Sequence, residues 1–165
     1  MQHVLQTVWF HLNRKFSSGA IKSCRTCFLL GEGIHCAKTG EIMQNQALAE
    51  LIQYLEEVAR RVRQLEEEGD AVLDSEGQMA FQAKLEEKAE LLASLGEKTW
   101  ALTEKIGGEL GEEIVQKLEQ FSMSASTALR IGSVFFMTAL LYPEDHKSGE
   151  PNDLESYIAD LKGRA

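Results

Sequence analysis

Three thiolates and an imidazole, from Cys24, Cys27, His35 and Cys36, stand close together near the start of the chain, and they are the donor set of a structural zinc site. The Cys-x-x-Cys half has the spacing such a site needs. The other half does not, because the adjacent side chains of His35 and Cys36 point in diverging directions where a second spaced pair is required. No bound metal is expected. Nor is a Cys24–Cys27 disulfide, in a chain without a secretory signal. A second near miss overlaps the first. Residues 32–39 align with a phosphate-binding loop ending in Lys38-Thr39, but Glu32 and Ala37 replace its two glycines, so the backbone has no way to wrap a phosphate closely.

Beyond this segment, absent residues decide the chemistry. Between Met43 and Tyr142 there is no His and no Cys, which removes the usual metal ligand, the commonest general base and the strongest nucleophile. Di-iron bundles need inward Glu-x-x-His pairs from two helices, and residues 43–165 have none. Carboxylates are abundant, but Glu56, Glu57, Glu86, Glu87, Glu112 and Glu113 fall opposite the apolar seams, where exposure prevents the parting of pKa values that acid–base catalysis requires. Arg130 interrupts an apolar stretch, and its stem is long enough to carry the charge to the surface. No enzymatic activity and no cofactor are expected.

The elements that must position these residues follow from composition. The chain has 165 residues, 44% of them hydrophobic, only two prolines and a formal charge of −9. That suits one domain with a real core. The acidity excludes sequence-independent nucleic-acid binding, which needs a basic face. The composition also breaks sharply. Residues 1–42 hold five Lys or Arg against two acids, with all three cysteines, while the remainder holds 12 basic and 24 acidic residues. Residues 1–42 are therefore expected to be a transit peptide, or a mis-called upstream leader ahead of a start at Met43, and residues 43–165 a single helical domain. The expected location is cytoplasmic under the leader reading and organellar under the transit-peptide reading.

Within the body, apolar residues recur at alternating steps of four and three. Leu51, Leu55, Val58, Val62 and Leu65 make one seam, and Phe81, Leu85, Lys88, Leu92, Leu95, Thr99, Leu102 and Ile106 make another, with Lys88 and Thr99 as its defects. A third runs Ile114, Leu118, Phe121, Ala125, Ala128, Gly132, Phe135, Ala139 and Tyr142. The spacing predicts an all-α bundle of three long antiparallel helices over 44–68, 76–106 and 109–142, with a short C-terminal helix over 153–162. Gly69 is read as the first stop, Ser75 with Gln78 and Asn152 with Glu155 as capping boxes, and Pro143 as the end of the third helix.

The turns from Val134 to Tyr142 are apolar nearly all round and need cover on every side. Ala125, Ala128, Gly132, Phe135, Phe136 and Ala139 are accordingly the expected interface of a homodimer, with small residues allowing close backbone approach. The function expected is that of a non-catalytic, self-associating helical-bundle or coiled-coil protein for protein–protein interaction. The alternative is a membrane- or lipid-surface-associated protein inserting 121–142. It is disfavoured by Arg130 near the middle of that segment, which costs about 3 kcal/mol at a bilayer-spanning helix centre.

Overall fold

The structure is a computed structural model that describes residues 33–147 and 149–165. Expectations placed on residues 1–32, Cys24 and Cys27 among them, lie outside the described residues. Contacts divide the chain into Met1–Ala37 and Lys38–Ala165, and the description below is of the second unit.

Among the described residues six helices follow one another: α1 (Gly33–Ser75), α2 (Gln78–Ala93), α3 (Leu95–Ile106), α4 (Gly108–Ile131), α5 (Val134–Ala139) and α6 (Asp153–Arg164). The described residues contain no strand. The architecture is an all-α bundle. Cross-contacts fix its directions: Arg61 meets Glu87 while Glu68 meets Lys84, so α2 runs back along α1. Gly96 meets Ser122 while Gly111 meets Thr103, so α4 runs back along α3. Arg63 meets Glu155 while Glu56 meets Lys162, so α6 runs back along α1. The seams read from sequence line the core, with Leu51, Leu55, Val62, Leu92, Leu95, Ile114 and Leu118 buried against one another and against Leu154, Ile158 and Leu161 of α6.

The helix limits depart from the periodicity in three places. First, α1 begins upstream of residue 44 and continues past residue 68 to Ser75. Extension of an established helix costs little per residue, and residues 33–43 contain no proline to stop it. Gly69 is not a stop but a crossing point: a Cβ there would stand 3.4 Å from the Phe81 ring. The acidic run Glu66–Glu68 therefore sits within the helix, where Lys88, Arg61 and Lys84 neutralise it, rather than at an unfavourable C-terminus. The Ser75 hydroxyl donates to Ala71 O on its own helix, and α2 starts at Gly77 without a side-chain cap, so the Ser75–Gln78 box is absent.

Second, the helix expected over 76–106 is interrupted at one residue, Ser94, whose hydroxyl turns back to Leu91 O at 2.8 Å. Burial passes through the break, because Leu92, Leu95 and Thr99 stay inside. Gly96 lies within α3, and a Cβ there would meet Ser122 Oγ at an ordinary 3.5 Å. Gly96→Ala should raise stability by up to about 1 kcal/mol, since it removes backbone freedom from the unfolded chain without a clash. A lowered melting temperature for this variant would contradict the packing described.

Third, the helix expected over 109–142 ends at Ile131. Gly132 adopts φ +66° and its N–H reaches the carbonyls of Ala128 and Leu129, a left-handed C-terminal cap. Ser133 then caps α5 by accepting from Phe136 N. The pair Gly132-Ser133 thus works as stop and restart, which a reading by apolar period passes over. The small residues Ala125, Ala128 and Gly132 consequently do not lie on one continuous helix, and a Cβ at Gly132 would meet nothing within 4 Å. The break also divides 121–142, the segment of the membrane alternative, and no described helix is long and apolar enough to cross a membrane. Close approach is found instead at Gly111, where a Cβ would stand 3.0 Å from Thr103 O.

Candidate functional site

Two features gather at the end of the bundle near α5: a cluster of buried polar side chains, and an apolar groove on its far side. The cluster starts from Lys88, the defect in the second seam. It is 1% exposed, and its ammonium lies 2.8 Å from Glu66 Oε1 and 3.4 Å from Thr138 O, the carbonyl it donates to near the end of α5. A buried ammonium needs such partners because its desolvation is costly. Tyr142 completes the arrangement. Its hydroxyl donates to Glu66 Oε2 at 2.7 Å and accepts from Arg63 Nη1 at 3.2 Å, while its ring lies 5.1 Å from Lys88 Nζ. Arg63 also grips Glu155 with two parallel bonds, Nε to Oε1 at 2.8 Å and Nη2 to Oε2 at 2.6 Å. Glu155 in turn accepts from Asn152 N, and Asn152 Oδ1 accepts from Glu155 N, so the predicted capping box of α6 is present and is tied to α1.

The electrostatics follow from these contacts. Burial pushes the Lys88 ammonium below its ordinary pKa, and Glu66 opposes that shift. The hydrogen bonds from Arg63 hold Glu155 below the usual carboxylate range, and Glu155 holds Arg63 above its own. Burial first, and then the bond to Glu66, push Tyr142 up to about 12, and burial raises Tyr157 to about 12. A phenol whose folded pKa lies above its unfolded value near 10 favours the fold while protonated. That contribution is complete below pH 10 and is lost as pH rises toward 12. Lys88 acts in the opposite sense, its lowered pKa adding stability as pH rises toward 10.5, the value it regains on unfolding. Above that point the tyrosines govern. The melting temperature should therefore fall between pH 10.5 and 12, and Tyr142→Phe should make the fall shallower. A profile unchanged by the substitution would show that Tyr142 does not titrate as described.

A cavity of about 370 Å³ borders the cluster, lined by Arg63, Glu66, Lys88, Thr138 and Tyr142 with Phe81 and Leu85. Its cations are matched by Glu66 and Glu155, so it has no surplus positive charge to offer an anion. Among the described residues no group of three or more His, Cys, Asp or Glu side chains is placed to hold a metal. His35 and Cys36 fall in the first turn of α1.

The groove is larger, about 830 Å³. It runs between the outer face of α4, with Met123, Thr127 and Ile131, and the segment Phe136 to Pro143. Large apolar side chains that line it stand exposed, Met123, Ile131 and Phe136, the last at 51%, and the neighbouring Phe135 is 75% exposed. The two phenyl rings meet edge to face, 5.6 Å apart. The residues expected at an interface separate into two sets. Ala125 and Ala128 are closed inside the chain's own core, so they do not supply the flat helix face inferred from the small-residue spacing, although Ala128 borders the groove floor. Gly132, Phe135, Phe136 and Ala139 are exposed.

Sequence reasoning passed over Glu66, Arg63, Tyr142 and Glu155 as a cluster. One signal pointed to it: a lysine in a core position requires a buried acid. Which acid it is depends on the crossing of α1 and α2, and on a fold-back of Tyr142 that no local period encodes. No family model, no curated protein and no solved structure matches this chain.

Proposed function

We propose that this chain is a non-catalytic, self-associating interaction protein of the cytoplasm, and that the groove beside α5 with the projecting Phe135–Phe136 pair is its interface. The observation that carries the reading is the exposure of Met123, Ile131 and Phe136 along one apolar groove, with the exposed Phe135 ring set edge to face against Phe136. Scattered exposed apolar side chains are ordinary, but a cluster of this kind marks a contact surface. A second copy fits it on chemical grounds. The same end of the molecule offers both a concave apolar face and a protruding aromatic pair, and a two-fold axis places each pair in the partner's groove. The titratable groups brought together at Lys88 are engaged in internal pairs, which supports the non-catalytic part of the reading.

Sedimentation velocity of the chain over a range of concentrations tests this. A dimer that dissociates on dilution is the expected result. A clean monomer at high micromolar concentration would refute self-association.

A further inference from the structure

The groove and the polar cluster share one residue, Tyr142, which lines both. The wall of the groove is the segment Ala139 to Pro143. Its backbone is held in a conformation that its sequence does not favour: Leu141 has φ +73°, the only non-glycine residue with a positive φ among those described. A branched side chain rarely adopts this region without restraint from its surroundings. The restraints are identifiable. Lys88 holds Thr138 O just before the wall, and Glu66 and Arg63 hold the Tyr142 hydroxyl just after the strained residue. Asp153 N donates to Leu141 O at 3.0 Å, which ties the strained residue to the start of α6.

We propose that residues 139–143 are a strained strap forming one wall of the interaction groove, and that the buried Lys88 with the half-buried Glu66, Arg63 and Tyr142 side chains is the latch that keeps it in place. This rests on the interface reading above, which it extends from where a partner binds to what keeps the binding surface formed. Every latch contact is made from α1 or α2, elements on the other side of the strap from the groove. Through Tyr142 the groove is thereby coupled to Lys88, Glu66 and Arg63, none of which lines it. Releasing the Tyr142 hydroxyl lets Leu141 relax, and the wall that includes Leu140, Leu141 and Pro143 is lost.

Tyr142→Phe removes only the hydroxyl and keeps the ring, so the fold should survive it. Lys88→Met, which fills the same volume without charge, serves as a second release. Hydrogen–deuterium exchange is read at residues 140–147 and at the Asp153 amide, with sedimentation velocity and the fluorescence of added anilinonaphthalene sulfonate measured in parallel. Losing a hydrogen bond to a charged partner should accelerate exchange at these amides roughly tenfold, leave the centres of α1 and α4 unchanged, and weaken self-association by a similar factor. Exchange that rises evenly along the chain would overturn the proposal, since the cluster would then serve global stability alone. So would faster strap exchange with unaltered association and unaltered dye fluorescence. The two readings fail separately: a monomeric unmodified chain sinks the interface, whereas the latch is then judged by strap exchange and by dye binding to the groove of the monomer.

Discussion

Lys88→Ala is expected to destabilise the protein by about 3–5 kcal/mol, the cost of deleting one partner from a buried ion pair and leaving the other unpaired. Three losses combine in this substitution. Glu66 Oε1 loses the ammonium 2.8 Å away, Thr138 O loses its donor, and the aliphatic stem that fills the second seam between Leu85 and Leu92 disappears. Lys88→Met separates these terms, because it restores the volume but not the charge. It should fall between the wild type and Lys88→Ala. Combining it with Glu66→Gln, which removes the stranded carboxylate while keeping an acceptor for the Tyr142 hydroxyl, should recover part of the loss. Buried pairs replaced on both sides often cost little, whereas pairs broken on one side cost a great deal. Chemical denaturation of the four proteins measures each step. If Lys88→Ala changed stability by less than about 1 kcal/mol, the scale of an exposed ion pair, the cluster would be a surface decoration and not a buried one.

The same lysine shows how much of this molecule the sequence made legible. The four-and-three spacing located the core of α1 to α4 nearly residue by residue up to Ala128, because burial on one helix face leaves a direct periodic trace. The Asn152–Glu155 box was equally readable, since both partners lie within one turn. What was not legible depends on residues distant in sequence. Gly69 looks like a helix stop until Phe81 is known to pack on it, and Lys88 looks like a flaw until Glu66 is found beside it. Gly132 was a different case. Its cap geometry is local and was available to a closer reading of Gly-Ser, but the apolar residues on either side of it continued the period and masked it. That one misplacement turned a helix end, a short helix and a strap into a single long helix, and it joined Ala125 and Ala128, which the core already uses, to Gly132, Phe135, Phe136 and Ala139 in one expected interface.

Of the six residues expected at the interface, the exposed aromatic pair gives the sharpest prediction. Replacing Phe135 and Phe136 together by Ala should raise the dimer dissociation constant by two orders of magnitude or more, since buried aromatic anchors at an interface typically contribute about 2 kcal/mol or more each. The folded monomer should tolerate the change, because Phe135 and Phe136 are exposed at 75% and 51% and meet mainly each other, while Met137 between them and the core carries the attachment of α5. The melting temperature at low protein concentration should move little. At high concentration it should drop relative to the parent, which the proposed association would stabilise there. Ala125→Leu gives the opposite pattern: Ala125 is fully buried within the chain, so overpacking should cost about 1–3 kcal/mol at every concentration. Concentration dependence thus distinguishes the two ends of the same seam. If the double phenylalanine variant dissociated no more readily than its parent while Ala125→Leu disrupted the dimer without lowering the monomer's stability, the interface would lie along α4 and not around α5.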